Sequence, residues 1–202
     1  MKITDLSPGG FACACYLVCE GHDAVLIDCS ATAAAVSAAL DQYGARLAAI
    51  LCTHGHFDHI LTADALRDHF GVPLLLHEAD AELPTDNEKN AFSLFFGNAA
   101  FHARSADRLF KDGETLTFGS LSCKVMHTPG RSKGSSVFLF DGMAFTGDTL
   151  FASGWGRTDL YGGNALALRQ SLQRLSALSP SLRIYPGHGG SAALKSALDL
   201  IL

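Results

Sequence analysis

The stretch Thr53-His54-Gly55-His56-Phe57-Asp58-His59 packs three imidazoles and a carboxylate into seven residues. Imidazole nitrogens and carboxylate oxygens are ligands that zinc, iron and manganese all accept, so so dense a group points to metal chemistry. In an extended segment side chains alternate, and His54 and His56 then point the same way. A turn at Phe57 swings Asp58 and His59 toward a neighbouring position. One segment could thus serve two adjacent metals.

Three more ligand-type residues stand where apolar strands stop and Gly or Pro redirects the chain. His127 ends the strand Cys123–Met126 and precedes Thr-Pro-Gly; Asp148 follows Met143–Phe145 through Thr-Gly; His188 follows Arg183–Tyr185 through Pro-Gly. The ends of adjacent strands in open α/β sheets converge on a shared crevice. A carboxylate with two oxygens can bridge two metals roughly 3.5–4 Å apart, and Asp148 is the candidate for that role. His22, His69, His77 and His102 lack this context and read as structural or solvated.

The elements that must position these groups are short strands alternating with helices. Cys13–Cys19 and Ala24–Asp28 are apolar and β-prone around the turn Glu20–Asp23; Thr32–Tyr43 has helical spacing and a stop at Gly44. Leu47–Cys52 is a continuous apolar run, which suits a strand buried on both faces. A second helix is expected over Thr62–Phe70 and a strand over Val72–Leu76. Later strands fall at Glu114–Phe118, Leu121–Met126, Val137–Phe140, Met143–Phe145 and Leu182–Tyr185, with helices over Asn164–Leu178 and Ser191–Leu202. The stretch 80–108 shows no clear period; its Phe92, Phe95, Phe96 and Phe101 are assigned to core or interface rather than to a substrate wall. The whole is an α/β pattern in two halves of similar grammar, forming a single domain over residues 1–202.

Composition narrows the functions. Hydrophobic residues make up 48% and charged ones 17%, an ordinary globular balance. Fifteen basic against twenty acidic residues give a net charge of −5, with no basic stripe for a nucleic acid and no polybasic segment for a membrane surface. The start MKITDLSPGG lacks the apolar core of an export signal, so a soluble, cytoplasmic protein is expected. In that setting the six cysteines read as reduced, buried small hydrophobes.

With these residues in place, the sequence resembles the metallo-β-lactamase-fold hydrolases, and closely their short type II glyoxalase-like (hydroxyacylglutathione hydrolase-like) group. The resemblance runs through Leu26-Ile27-Asp28, THGHFDHI at 53–60, Asp112-Gly113-Glu114, HTPG at 127–130, FTGDTLF at 145–151, GRTDLYGGN at 156–164 and YPGHG at 185–189. It implies a four-layer αββα sandwich with two divalent ions, commonly zinc and sometimes iron or manganese. His54, His56 and His127 would hold the first ion, and Asp58, His59 and His188 the second, with Asp148 bridging. It also implies hydrolysis of a small thioester or ester by a metal-bridging hydroxide, with Asp58 as orienting base and Arg157 as a substrate-carboxylate ligand. The sequence departs from the family at Arg131 and Lys133, where a His and a Pro are usual; neither is counted as a ligand, so the metal site is expected to survive with a more positive mouth. Type II glyoxalases carry a C-terminal helical domain that helps hold glutathione, and from the sequence after His188 no counterpart of it is expected. An alternative on the same fold is an iron-dependent persulfide dioxygenase, using His54 or His56 with His127 and Asp148.

Overall fold

A computed structural model describes residues 1–201. Two six-stranded sheets face each other among the described residues. The first comprises β1 (Lys2–Asp5), β2 (Tyr16–Glu20), β3 (Asp23–Ile27), β4 (Arg46–Leu51), β5 (Leu74–His77) and β6 (Arg108–Phe110), in that spatial order. β1 to β3 are antiparallel and β3 to β6 run parallel. The second comprises β7 (Thr115–Phe118), β8 (Leu121–His127), β9 (Ser136–Phe140), β10 (Met143–Gly147), β11 (Arg183–Pro186) and β12 (Ala192–Ala193), ordered in reverse. Only the β10–β11 pair is parallel in this sheet.

Burial explains the apolar runs. In β4, Ala49 and Leu51 enter the layer between the sheets, whereas Ile50 packs outward beneath α1 (Ala33–Tyr43) and α2 (Ala63–Phe70). A strand covered on both faces has no polar side to show, so alternation disappears. The second sheet repeats the arrangement: Phe138 and Phe145 face inward, and Val137, Ala144 and Ile184 pack under α4 (Ala165–Ser176) and α5 (Leu194–Leu198). The result is the expected four-layer αββα sandwich. α1 is bounded as its sequence says, with Thr32 Oγ1 accepting from the Ala35 amide and Gly44 left-handed at φ 60°.

Several expectations shift. The first apolar run forms a strand only from Tyr16 onward, and Cys13–Cys15 approach it as a loop. The edge strands β1 and β6 carry too few apolar residues to be legible. The C-terminal segment expected as one helix is instead the short strand β12 followed by α5; its last residue, Leu202, lies outside the described residues. All six cysteines are free and buried. Within 80–108 a single short helix forms, α3 (Phe92–Phe96); Phe92 packs against Phe57 and Phe101, while Phe95 and Phe96 remain half-exposed.

Phe138 is fully buried between the sheets, in contact with Phe110. Phe138→Ala should cost about 3–5 kcal/mol, read as a lower urea midpoint at an unchanged slope.

Candidate metal centre

The strands of the first sheet that end side by side begin the site. Asp28 follows β3 in a left-handed conformation (φ 57°), which turns its carboxylate back over the end of β4. There Oδ1 accepts from the Thr53 amide at 2.7 Å, and Oδ2 accepts from His59 Nδ1 at 2.8 Å. This fixes the His59 tautomer: with Nδ1 donating to Asp28, Nε2 is left as a lone pair for another partner. A single 3₁₀ turn, Phe57–His59, brings Asp58 and His59 round from the extended His54–His56 segment.

The second sheet supplies the rest. Asp148 follows β10, and His188 follows β11 one parallel strand away. His188 Nε2 lies 3.2 Å from Asp58 Oδ2 and 3.7 Å from Asp148 Oδ1, and His59 Nε2 lies 3.4 Å from that same Oδ1. Gly187 makes the convergence possible, since a Cβ there would stand 2.6 Å from both Asp148 Oδ1 and the His59 ring. Asp58, His59 and His188 offer ligand atoms within 4.8 Å of one another, as do His54, His59 and Asp148.

Polar atoms in this cluster are strikingly short of partners for so buried a place. His54 Nε2, both ring nitrogens of His56, His59 Nε2 and Asp148 Oδ1 are buried without a hydrogen bond. Buried polar atoms are normally satisfied, and the open His59 Nε2 and Asp148 Oδ1, 3.4 Å apart, mark a place for a ligand. The electrostatics agree. Burial works against charge on His59, yet the surrounding carboxylates Asp28, Asp58 and Asp148 together raise it well above the usual imidazole range. For Asp148 burial is likewise outweighed, by His59, His54 and Arg131, and the carboxyl is held well below its usual value. Carboxylates that draw a proton onto a buried imidazole will exchange it for a divalent cation. The atoms of Asp58, His59, His188 and Asp148 Oδ1 fit such an ion.

The first of the two expected positions does not assemble. His127 is stacked on His77 (centroids 4.0 Å apart, planes at 10°), and its Nε2 donates to the Lys133 carbonyl at 2.8 Å. Ending β8 on a neighbouring strand was a sound clue to proximity but said nothing of side-chain direction. Arg131, set aside on sequence grounds as lying outside the ligand set, is the residue that enters the cluster: it is buried, and its Nε donates to Asp148 Oδ2 at 2.9 Å. The guanidinium thus lies near enough for its charge to act on His54 and His56. Burial first, then neighbouring cations that include Arg131, push both imidazoles down, His56 to about 3. Cys13 also touches His59, but burial raises its thiol far above the usual range and it has no thiolate to offer.

A sequence-family model for the metallo-beta-lactamase superfamily matches residues 8–188. The chain belongs to the metallo-β-lactamase superfamily. An uncharacterized protein of Mycobacterium tuberculosis is 36% identical over 209 residues, spanning 96% of this chain and 93% of its own. A hydroxyacylglutathione hydrolase of Brucella anthropi is 39% identical over 159 residues, covering 77% of this chain and 53% of that protein. Among solved structures, the BLEG-1 B3 metallo-beta-lactamase superposes with a TM-score of 0.89 at 32% identity, covering 98% of this chain and 97% of its own. TTHA1623 in a di-iron-bound form superposes with a TM-score of 0.84, also at 32% identity, over 96% of each chain.

On this metallo-β-lactamase scaffold two carboxylates do structural work that sequence reading missed. Asp28 entered the sequence analysis only as the last residue of Leu26-Ile27-Asp28; its place at the end of a strand beside the one feeding His54 was the available signal. Asp80 lies in the stretch without a period. It is fully buried, with Oδ2 accepting from the Gly55 amide (3.0 Å) and the Ser132 hydroxyl (2.7 Å), and Oδ1 from the Gly134 amide (2.6 Å). It thereby ties the histidine loop to the loop carrying Arg131. Above the centre opens a cavity of ≈ 430 Å³ whose walls include Phe11, Phe57, Phe95, Phe96 and Phe151. Phe95 and Phe96, assigned to core or interface, thus face the site. Arg157 lines the same cavity, with Nε and Nη2 each 2.6 Å from an oxygen of Asp159.

Asp28→Asn should weaken metal binding about 10–100-fold by loosening His59, measured by competition with a chromophoric chelator. The His77–His127 stack yields a pH prediction. Burial, then His127, lowers His77 from 6.5 to about 4. Below pH 6.5 the unfolded chain takes up a proton that native His77 refuses. Its contribution to stability is therefore full above pH 6.5, is lost as pH falls from there to about 4, and levels off below. His77→Phe keeps the stack and should flatten the decline of thermal midpoint across that window relative to wild type.

Proposed function

We propose that the protein is a metal-dependent hydrolase of a small thioester or ester. The observation that carries this is the convergence of ligand atoms from Asp58, His59, His188 and Asp148, with His59 Nε2 and Asp148 Oδ1 left without partners, beside a phenylalanine-walled cavity that Asp58, Asp148 and His188 line. A divalent cation bound there, zinc foremost and iron or manganese also suited, would make hydroxide available near neutral pH and polarise an acyl oxygen.

The chain's own groups do the remaining work. Asp58 turns Oδ2 toward His188 and lines the cavity. Its other oxygen would accept a proton from an attacking water and aim it, the orienting-base role. The apolar walls hold the acyl group and exclude bulk water, which strengthens every charge at the floor. Arg157 sits where a substrate carboxylate would enter; Asp159 holds its Nε and Nη2, so a carboxylate would share or displace that pair. A thiolate leaves without help from an acid. Similarity to a hydroxyacylglutathione hydrolase supports a hydroxyacylglutathione-like thioester, and the net charge of −5 supports a small molecule over a nucleic acid.

The iron-dependent persulfide dioxygenase alternative needs His54 or His56 with His127 and Asp148. His127 points to His77 and Arg131 is paired with Asp148, so hydrolysis is the better supported of the two.

Turnover of S-lactoylglutathione and of a short-chain acyl thioester should disappear on chelation and return with added zinc. Asp58→Asn should lower kcat about 100-fold or more while the circular-dichroism melt stays near wild type. Wild-type rates in that variant would remove Asp58 from the chemistry, and oxygen uptake with glutathione persulfide in place of thioester cleavage would overturn the hydrolase assignment.

A further inference from the structure

We infer that Arg131 stands in for the first metal of the pair, so that the chain binds one divalent cation, held by Asp58, His59 and His188 with Asp148, rather than two. The inference rests on the proposal that this centre holds a catalytic cation, and goes beyond it by fixing how many.

Asp148 is divided between two neighbours. Its Oδ2 accepts from Arg131 Nε at 2.9 Å and stands 3.9 Å from His54 Nε2, the side on which a first ion would sit. Its Oδ1 has no hydrogen-bond partner and lies 3.4 Å from His59 Nε2 and 3.7 Å from His188 Nε2. One edge of the carboxylate is thus already neutralised, and the other is open. A guanidinium keeps its charge at every relevant pH, so it cannot become neutral to admit an ion beside it. It is also built in rather than draped over the surface. Arg131 is buried, and a Cβ on Gly156 would stand 3.0 Å from its Cδ.

Ligand count and charge lead the same way. His127, the third imidazole expected for a first ion, is engaged elsewhere, which leaves only His54 and His56 there, beside the Asp148 oxygen that Arg131 already holds. Asp28, Asp58 and Asp148 are balanced by one guanidinium and one divalent ion. A second ion would leave two uncompensated positive charges in a buried place, which proteins avoid. In this arrangement Arg131 also borders the cavity, and it supplies a fixed positive charge where a metal would otherwise supply it.

The test is metal stoichiometry, read independently of turnover. Chelator-stripped wild-type protein titrated with Co²⁺, gel-filtered and assayed by atomic emission should hold one ion per chain, with the electron paramagnetic resonance of an isolated high-spin centre. Arg131→His, which removes the permanent charge and offers an imidazole, should take up two ions and show spin coupling; Arg131→Lys should stay at one. Two ions in wild type would overturn the inference and leave the hydrolase proposal intact. One ion without any ester or thioester turnover would do the reverse, and no ion at all would overturn both. A folded Arg131→His that stops at one ion would show that Arg131 is not what excludes the second. Should that variant fail to fold, the wild-type count still decides.

Discussion

Three carboxylates, Asp28, Asp58 and Asp148, are buried around one imidazole, and the rest of the molecule is arranged to make that tolerable. Two like charges a few ångströms apart repel by about 4 kcal/mol even at an effective dielectric near 20. Such a group persists only if cations and donors are delivered to fixed points. Thr53 and His59 satisfy Asp28, Arg131 satisfies one edge of Asp148, and His188 approaches Asp58. What is left over, on His59 Nε2 and Asp148 Oδ1, is the capacity to bind a cation. Structural need and chemical function are here the same deficit.

The sandwich supplies the rigidity this demands. Asp28 and the histidine loop follow adjacent parallel strands of one sheet, and Asp148 and His188 follow adjacent parallel strands of the other. The inter-sheet layer that clamps them is dense with Phe110, Phe138 and Phe145, all fully buried. Close packing of this kind transmits displacement rather than absorbing it. Tyr16 adds a direct strut, donating from its hydroxyl to the Pro186 carbonyl at 2.9 Å just before Gly187 and His188. Asp80 does the same for the loops at the other side of the site.

How much was legible follows from what each signal encodes. Continuous apolar runs such as Leu47–Cys52 identify strands covered on both faces, and the HxHxDH stretch with Asp148 and His188 at strand ends points to residues that the fold does bring together. Both are statements about the backbone, which local sequence largely decides. The failures concern side-chain direction and long-range partners. His127 and Arg131 are four residues apart in one turn, and only tertiary packing decides which of them enters the cluster: His77 captures the ring of His127, and Asp148 captures the guanidinium. Asp80 was opaque because its partners, Gly55, Ser132 and Gly134, come from two remote loops.

The cavity carries the final step from centre to substrate. Its floor is charged and its walls are aromatic, an arrangement that suits a molecule with one polar, reactive end and an apolar remainder. A molecule held there would be shielded from bulk water, and shielding raises the worth of each fixed charge at the floor, Arg131 included. The walls come largely from elements outside the two sheets: Phe11 precedes β2, Phe95 and Phe96 lie on α3, and Phe151 follows Asp148 by three residues. Those segments can vary without disturbing the strands that hold the ligands. In this metallo-β-lactamase-superfamily chain, then, the cavity walls and the charged cluster are built by different parts of the fold, the walls largely by loops and a short helix and the cluster by residues at strand ends locked by the core.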